Sequence, residues 1–236
     1  MPPRRPAVPA VPRQDRPLPA RLLPSWAGCA ELTSDPEPPV LFPEEEELVA
    51  RAGAGRRGEF GAGRLCARRA MAALGLPGVA LPRGRRGMPA WPAGVVGSIT
   101  HCDGYRAAAV ARSRDAVALG LDAEPDAPLP AGVLEAVAFG AEREWLAEYR
   151  ERHPAVSWDR LLFSAKEAVY KAWCSAGGSW LGFEDAEVTA APEGGTRRGT
   201  FRARLTAAPA GVPVPRLLHG RWLSHRGLLV TAVVVT

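Results

Sequence analysis

The chain has no asparagine, a single isoleucine (Ile99) and only two lysines, Lys166 and Lys171, among its 30 basic residues. Arginine holds every other basic position, as strong codon bias would dictate, so each surviving lysine is informative. No apolar run approaches the roughly 20 residues needed to cross a bilayer; the longest, from Leu228 to Thr236, stops far short. The N-terminal arginines are followed by no apolar h-region, so a cytoplasmic protein is expected rather than a secreted one. Cys29, Cys66, Cys102 and Cys174 show no paired spacing, which argues against a disulfide framework or a zinc knuckle. The sequence also lacks G-K-[ST], G-x-S-x-G and H-E-x-x-H, which removes the Walker A loop, the nucleophile elbow and the zinc-protease helix.

What is present is the composition of a globular domain, 236 residues with 47% hydrophobic and 23% charged side chains. The net charge of +5 is concentrated at one end: residues 1–20 carry Arg4, Arg5, Arg13 and Arg16 against Asp15 alone. That segment holds seven prolines and no aromatic residue, so it is expected to be a disordered tail. A nucleic-acid reading of the basic pI therefore has little support in the rest of the chain.

Hydrophobic periodicity predicts helices over Glu44–Ala54, Glu59–Leu74, Ala141–His153 and Trp158–Ser175. It predicts strands over Val95–Cys102, Tyr105–Arg112, Ala116–Glu124, Asp185–Ala190, Thr200–Thr206, Leu217–Ser224 and Leu228–Val235. The order, helix then strands and again helix then strands, suggests an α+β fold of two similar halves. These are placed at 21–125 and 126–236, with a ligand site where they meet. Gly53 to Gly58 matches G-x-G-x-x-G, but it follows a predicted helix instead of a strand, against a dinucleotide site. His101 and Cys102, as strand neighbours, point to opposite faces and form no dyad.

Three segments carry chemistry together. The strand from Val95 ends in Ser98-Ile99-Thr100-His101. In Leu119-Gly120-Leu121-Asp122-Ala123-Glu124, the two carboxylates are i and i+2 and share one face of a strand. Buried carboxylates on an apolar strand need a cation. In Phe163 to Lys171, Ser164, Glu167 and Lys171 form a polar stripe opposite Leu162, Ala165, Val169 and Ala172. Taken alone, Glu167 and Lys171 are an ordinary i, i+4 ion pair. Combined, Asp122, Glu124 and Glu167 are hard oxygen donors suited to Mg²⁺, and Mn²⁺ accepts the same set. Arg56, Arg64 and Arg83, the last in a basic glycine loop, add guanidinium groups suited to phosphate.

These motifs resemble the 4′-phosphopantetheinyl transferases, and within them the single-chain type that includes Sfp, the enterobactin-synthesis enzymes and their actinobacterial relatives. Leu119 to Glu124 is similar to the family pattern (I/V)-G-(I/V)-D-x-E, with leucines for the β-branched residues. Phe163 to Lys171 matches (F/W)-(S/C)-x-K-E-(A/S)-x-x-K throughout. Arg64-x-Cys66-Ala67-Arg68 and the stretch from Gly87 to Cys102 resemble the actinobacterial branch, although Met88 stands where many members carry a lysine or an acid. The resemblance implies two pseudo-duplicated α+β halves with coenzyme A between them. It implies transfer of the phosphopantetheine arm to a serine of an apo acyl or peptidyl carrier protein, with release of 3′,5′-ADP. Asp122, Glu124 and Glu167 would hold Mg²⁺, Glu167 would help deprotonate the serine, and Lys171 would act on the leaving phosphate. Arg56, Arg64, Arg83 and His101 would hold the phosphates, the 3′-phosphate included, with Ser98 and Thr100 near the nucleotide. Lys166 joins the expected coenzyme A-binding residues, although its helix face differs from that of Glu167 and Lys171. A monomer is expected, with no membrane or nucleic-acid partner. A metal-dependent phosphohydrolase acting on a nucleotide or on the coenzyme A pyrophosphate is the alternative, and a binding module with a basic tail is a third reading. Trp180 and Leu181 are candidates for carrier docking. No motif selects among fatty-acid, polyketide and nonribosomal-peptide pathways.

Overall fold

Small and branched apolar residues dominate the strands after Gly94, and they assemble two antiparallel sheets. The computed structural model describes residues 16–194, 197–206 and 211–236. The first sheet has the order β1 (Gly28–Leu32), β3 (Tyr105–Arg112), β2 (Val95–Cys102). The second has the order β4 (Ala118–Pro125), β8 (Leu228–Val235), β7 (Leu217–His225), β6 (Arg198–Leu205), β5 (Ala186–Pro192). Among the described residues, five α-helices accompany them: α1 (Pro43–Leu48), α2 (Ala54–Ala73), α3 (Val133–Val137), α4 (Glu142–Arg152) and α5 (Trp158–Ser175).

The sheets meet where β2 runs beside β4, and side chains make the join. The Ser98 hydroxyl accepts from the Leu121 amide at 3.0 Å, and the Thr100 hydroxyl accepts from the Ala123 amide at 3.0 Å. Both partners advance by two, so the strands run parallel, with hydroxyls in place of part of a backbone ladder. This is where Ser98 and Thr100, expected near a nucleotide, direct their hydroxyls.

One long helix lies on each sheet. Apolar residues of α5 (Leu161, Leu162, Ala165, Ala168, Val169 and Ala172) are buried against the second sheet, together with Trp158, Trp173, Phe201 and Trp222. The helix stops where Gly177 takes a φ of 87°, a backbone conformation glycine adopts readily. Helix α2 begins at Ala54, earlier than Glu59, and Gly53 stands at its N-cap. The preceding helix is correspondingly shorter than expected. It opens on Pro43 and places Glu44, Glu45 and Glu46 in its first turn, where the helix dipole favours acids. The glycine motif thus follows a helix, and no βαβ unit surrounds it.

The two halves repeat in register. Gly28 of β1 pairs with Val110 of β3, and Gly120 of β4 pairs with Val233 of β8. On the neighbouring strands, Gly97 pairs with Val110 and Gly220 with Val233. A Cβ at Gly28 would lie 2.1 Å from the Ala70 carbonyl oxygen of α2, and one at Gly120 would lie 1.8 Å from the Ala168 carbonyl oxygen of α5. Both glycines let a helix press directly on a strand. The repeat unit is β1-α2-β2-β3, then β4-α5-β7-β8, with β5 and β6 as an additional hairpin. The second unit therefore begins at β4, before the division expected after residue 125. The reason is long-range pairing: β4 follows β3 in sequence, yet its backbone partner is β8.

The expected tail also needs correction at its end. Residues 1–15 lie outside the described residues. From Leu18 to Arg21 the chain forms a 3₁₀ turn, and Leu18, Leu22 and Leu23 are buried against the faces of both sheets. Three leucines within six residues supply the apolar surface that the prolines before them lack.

Candidate active site

Strand β4 and helix α5 face each other across the glycine contact, which brings their polar residues together. Lys171 Nζ donates to Asp122 Oδ1 at 2.6 Å, to the Leu121 carbonyl at 3.2 Å and to Thr100 Oγ1 at 3.5 Å. The Thr100 hydroxyl also donates to Asp122 Oδ1 at 3.2 Å, so it positions that carboxylate as well as joining the sheets. Three acceptors converge on one nitrogen, a task for a compact ammonium and not for a planar fork. Glu124 is held by Arg160 of α5, whose Nη1 lies 2.9 Å from Oε2.

The three carboxylates act on one another. Burial pushes the Glu167 carboxyl above its usual range; Lys171 opposes this, while Asp122 and Glu124 add to it. Glu124 is likewise raised by burial and by Asp122, against Arg160. Asp122 is nearly fully buried, and its Oδ2 has no hydrogen-bond partner among the described residues. A buried, unpartnered carboxylate oxygen beside two further carboxylates fits a hard cation. In the present arrangement Lys171 and Arg160 supply the positive charge, and among the described residues no group of three His, Cys, Asp or Glu side chains closes into a metal-binding set.

The groups expected to hold phosphate lie on the α2 side. Arg56 Nη1 is 3.5 Å from His101 Nε2 at the end of β2. Arg64 is buried, stacks on Phe60 with its guanidinium carbon 3.9 Å from the ring centroid, and donates to the Leu81 carbonyl at 3.2 Å. Its guanidinium is lowered to about 10, first by burial, with Arg56, Arg68 and Arg83 contributing and Glu45 opposing. His101 is depressed by burial and by Arg56, Lys171 and Arg106, with Glu59 opposing. Such crowding of cations marks a place where an anion is stabilised. Electrostatic couplings link Arg83 to Arg64, Arg64 to Arg56, Arg56 to His101 and His101 to Lys171, a row of coupled groups that ends at Asp122.

Lys166 does not join that row. Its ammonium is buried and donates to Glu142 Oε2 at 2.8 Å, the Val137 carbonyl at 2.8 Å and the Phe183 carbonyl at 2.7 Å. It lines a cavity of about 90 Å³ beside Glu167, with Tyr170, Trp180, Leu181, Gly182, Phe183 and Ala186. Trp180 is 70% exposed and packs edge-on to Tyr170, whereas Leu181 is buried. Cys102 offers no nucleophile: burial, Glu124 and Asp122 push its thiol up to about 12.

Arg160 escaped the sequence reading, and Arg86 enters it only as part of the basic glycine loop. Arg160 lies four, seven and eleven residues before Ser164, Glu167 and Lys171, so the same helical stripe could have revealed it. Arg86 acts electrostatically on Tyr170 and Cys174 of α5 from the loop after α2, and only the tertiary fold brings it there. It holds a φ of 55°, and the adjacent Gly87 one of 78°.

The sequence is similar to known proteins over most of its length. Residues 44–111 match the 4′-phosphopantetheinyl transferase N-terminal domain, and residues 118–211 match the 4′-phosphopantetheinyl transferase superfamily. The gap between the two matches falls where the second repeat begins. The 4′-phosphopantetheinyl transferase Svp of Streptomyces mobaraensis is 53% identical over 92% of this chain and 88% of its own length. Npt of Nocardia iowensis is 47% identical over 90% and 97%, and PptT of Mycobacterium tuberculosis 47% over 92% and 96%.

Proposed function

The chain belongs to the 4′-phosphopantetheinyl transferase superfamily, and from that premise we propose how its residues divide the reaction. It transfers the 4′-phosphopantetheine arm of coenzyme A to a carrier protein. The acceptor is a serine hydroxyl: its oxygen bonds to the phosphorus that bears pantetheine, the bridging P–O bond breaks, and 3′,5′-ADP leaves. Glu167, a half-buried carboxylate whose proton affinity is raised, accepts the serine proton. Lys171 neutralises, or protonates, the leaving phosphate from the end of the cationic row. Arg56, Arg64, Arg83 and His101 hold the nucleotide phosphates. The apolar cavity beside Glu167 takes the uncharged pantetheine arm.

Asp122, Glu124 and Glu167 would hold a divalent cation, Mg²⁺ or Mn²⁺, which when bound supplies charge for the pyrophosphate oxygens. Thr100 holds Asp122 in place for it, and Arg160 does the same for Glu124. No described helix is long and apolar enough to cross a membrane. We assign the protein to the cytoplasm as a monomer, with no nucleic-acid partner.

The observation that carries this reading is the unpartnered Asp122 Oδ2 among three mutually repelling carboxylates at the end of a row of cations. Incubation with coenzyme A, Mg²⁺ and several apo acyl and peptidyl carriers is expected to add one phosphopantetheine mass to a carrier. No gain on any carrier, with 3′,5′-ADP released in its absence, would instead establish the phosphohydrolase reading.

A further inference from the structure

The repeat extends to a buried ion pair that the reaction described above does not use. In the second half, Glu142 is 1% exposed and accepts from the Phe139 amide at 2.9 Å, Lys166 Nζ at 2.8 Å and the Val188 amide at 2.7 Å. In the first half, Glu45 is 0% exposed and accepts from the Phe42 amide at 3.0 Å, Arg68 Nη1 at 2.9 Å and the Leu81 amide at 2.9 Å. Arg68 donates in turn to the Val40 carbonyl, as Lys166 does to that of Val137. The guanidinium of Arg68 lies 5.0 Å from the Phe42 ring, and the ammonium of Lys166 lies 5.2 Å from the Phe139 ring. Both networks are built on V-x-F-x-x-E, at Val40–Glu45 and at Val137–Glu142, plus one cation from the long helix.

The two copies lead to different ends of the site. Glu45 fixes the Leu81 amide, and the carbonyl of that same residue receives Arg64 Nε. Two residues on, Arg83 forms the bridge with Pro89 that closes the basic glycine loop. Glu142 fixes Lys166, the residue before Glu167, and Lys166 pins the Phe183 carbonyl in the wall of the apolar cavity. The cations differ accordingly. Arg68 meets both oxygens of one carboxylate and one carbonyl, which a fork can reach. Lys166 meets three acceptors at a single point, which explains a lysine in a chain that otherwise uses arginine.

We propose that Glu45 and Glu142 are positioning residues for two ends of one ligand: Glu45 sets the arginines that receive the nucleotide phosphates, and Glu142 sets the wall of the arm cavity and the helix turn bearing Glu167. This rests on the assignment of coenzyme A to the cleft. The full chain is tested as Glu45→Gln, Glu142→Gln and Arg64→Ala, with steady-state kinetics on coenzyme A and 3′-dephospho-coenzyme A and a melting curve for each. Glu45→Gln is expected to raise the KM for coenzyme A roughly tenfold at nearly constant kcat and to erode the preference for the 3′-phosphate, as Arg64→Ala does. Glu142→Gln is expected to lower kcat about tenfold and to leave that preference intact. If either variant melts at the assay temperature, Glu45→Gln/Arg68→Met or Glu142→Gln/Lys166→Met replaces it, since neither leaves a lone buried charge. Lower melting points with wild-type kinetics would overturn the positioning role. If Arg64→Ala itself kept the preference, the phosphate assignment would fall, and the role of Glu45 with it.

Discussion

In the first repeat, Ala30 and Leu32 follow the glycine of β1 at two and four residues; in the second, Asp122 and Glu124 hold those places after Gly120. On the long helices, Arg69 and Ala73 stand where the second repeat has Glu167 and Lys171, counted from Ala70 and Ala168 beneath the glycines. The frame is shared: the same strand pairing, the same helix-to-strand contact and the same buried ion pair. The reactive groups occur in one copy only. The other copy carries Arg56, which meets His101 at the end of β2, and Arg64, which stacks on Phe60. On the function proposed here, one copy of a duplicated frame would supply carboxylates and the other guanidinium groups to a single phosphate-rich ligand.

The largest expected effect breaks that comparison at the helix. Glu167→Gln removes the proposed proton acceptor and should reduce kcat about 1,000-fold. Arg69→Gln, at the exposed equivalent place, should leave turnover intact and shift stability by no more than about 0.5 kcal/mol. Steady-state transfer assays on both decide whether the chemistry is confined to one repeat. Lys171→Arg is expected to cost roughly 10- to 100-fold in kcat, because a fork cannot serve three acceptors converging on one nitrogen or readily give up a proton. Near-normal turnover would mean that positive charge alone suffices there.

Stability sharpens the comparison from the other direction. Gly28→Ala and Gly120→Ala each push a methyl group against a helix carbonyl, so both should lose about 1–3 kcal/mol or more in urea unfolding. Gly120→Ala alone should also reduce transfer, since it displaces α5 from Asp122. A neutral Gly28→Ala would break the claim of a common register. A weaker effect on transfer is expected for Thr100→Val, which leaves the Ala123 amide and Asp122 without that hydroxyl. It should cost about 1–3 kcal/mol in stability and weaken transfer only in part.

Much of this organisation was legible before any coordinates. The bounds of β2, β3, β8 and α5 follow from hydrophobic period alone, and the strand and helix motifs meet in the ion pair of Lys171 with Asp122. β1 was missed because Gly28-Cys29-Ala30-Glu31-Leu32 is short and shows little alternation of apolar and polar residues. Without β1 the first repeat had no opening strand, so β4 was assigned to the wrong half. The resemblance puts Ser98 and Thr100 near a nucleotide; that their hydroxyls also join β2 to β4 depends on a long-range parallel pairing that no local pattern shows. The ammonium of Lys166 faces inward for the reason its helix position suggested: it lies on a different face from Glu167 and Lys171. Three matching residues in each V-x-F-x-x-E are too few to notice until the buried carboxylates are seen making the same bonds.

The most direct test of a metal-assisted transfer built on the second repeat is intact-mass analysis of an apo carrier treated with coenzyme A and either wild-type protein or Asp122→Ala. With Mg²⁺ the wild type is expected to add one phosphopantetheine to the carrier, and with a chelator none. Asp122→Ala should remain folded by circular dichroism and add none under either condition. Full modification by Asp122→Ala, or by the wild type in excess chelator, would contradict the role given to that buried carboxylate.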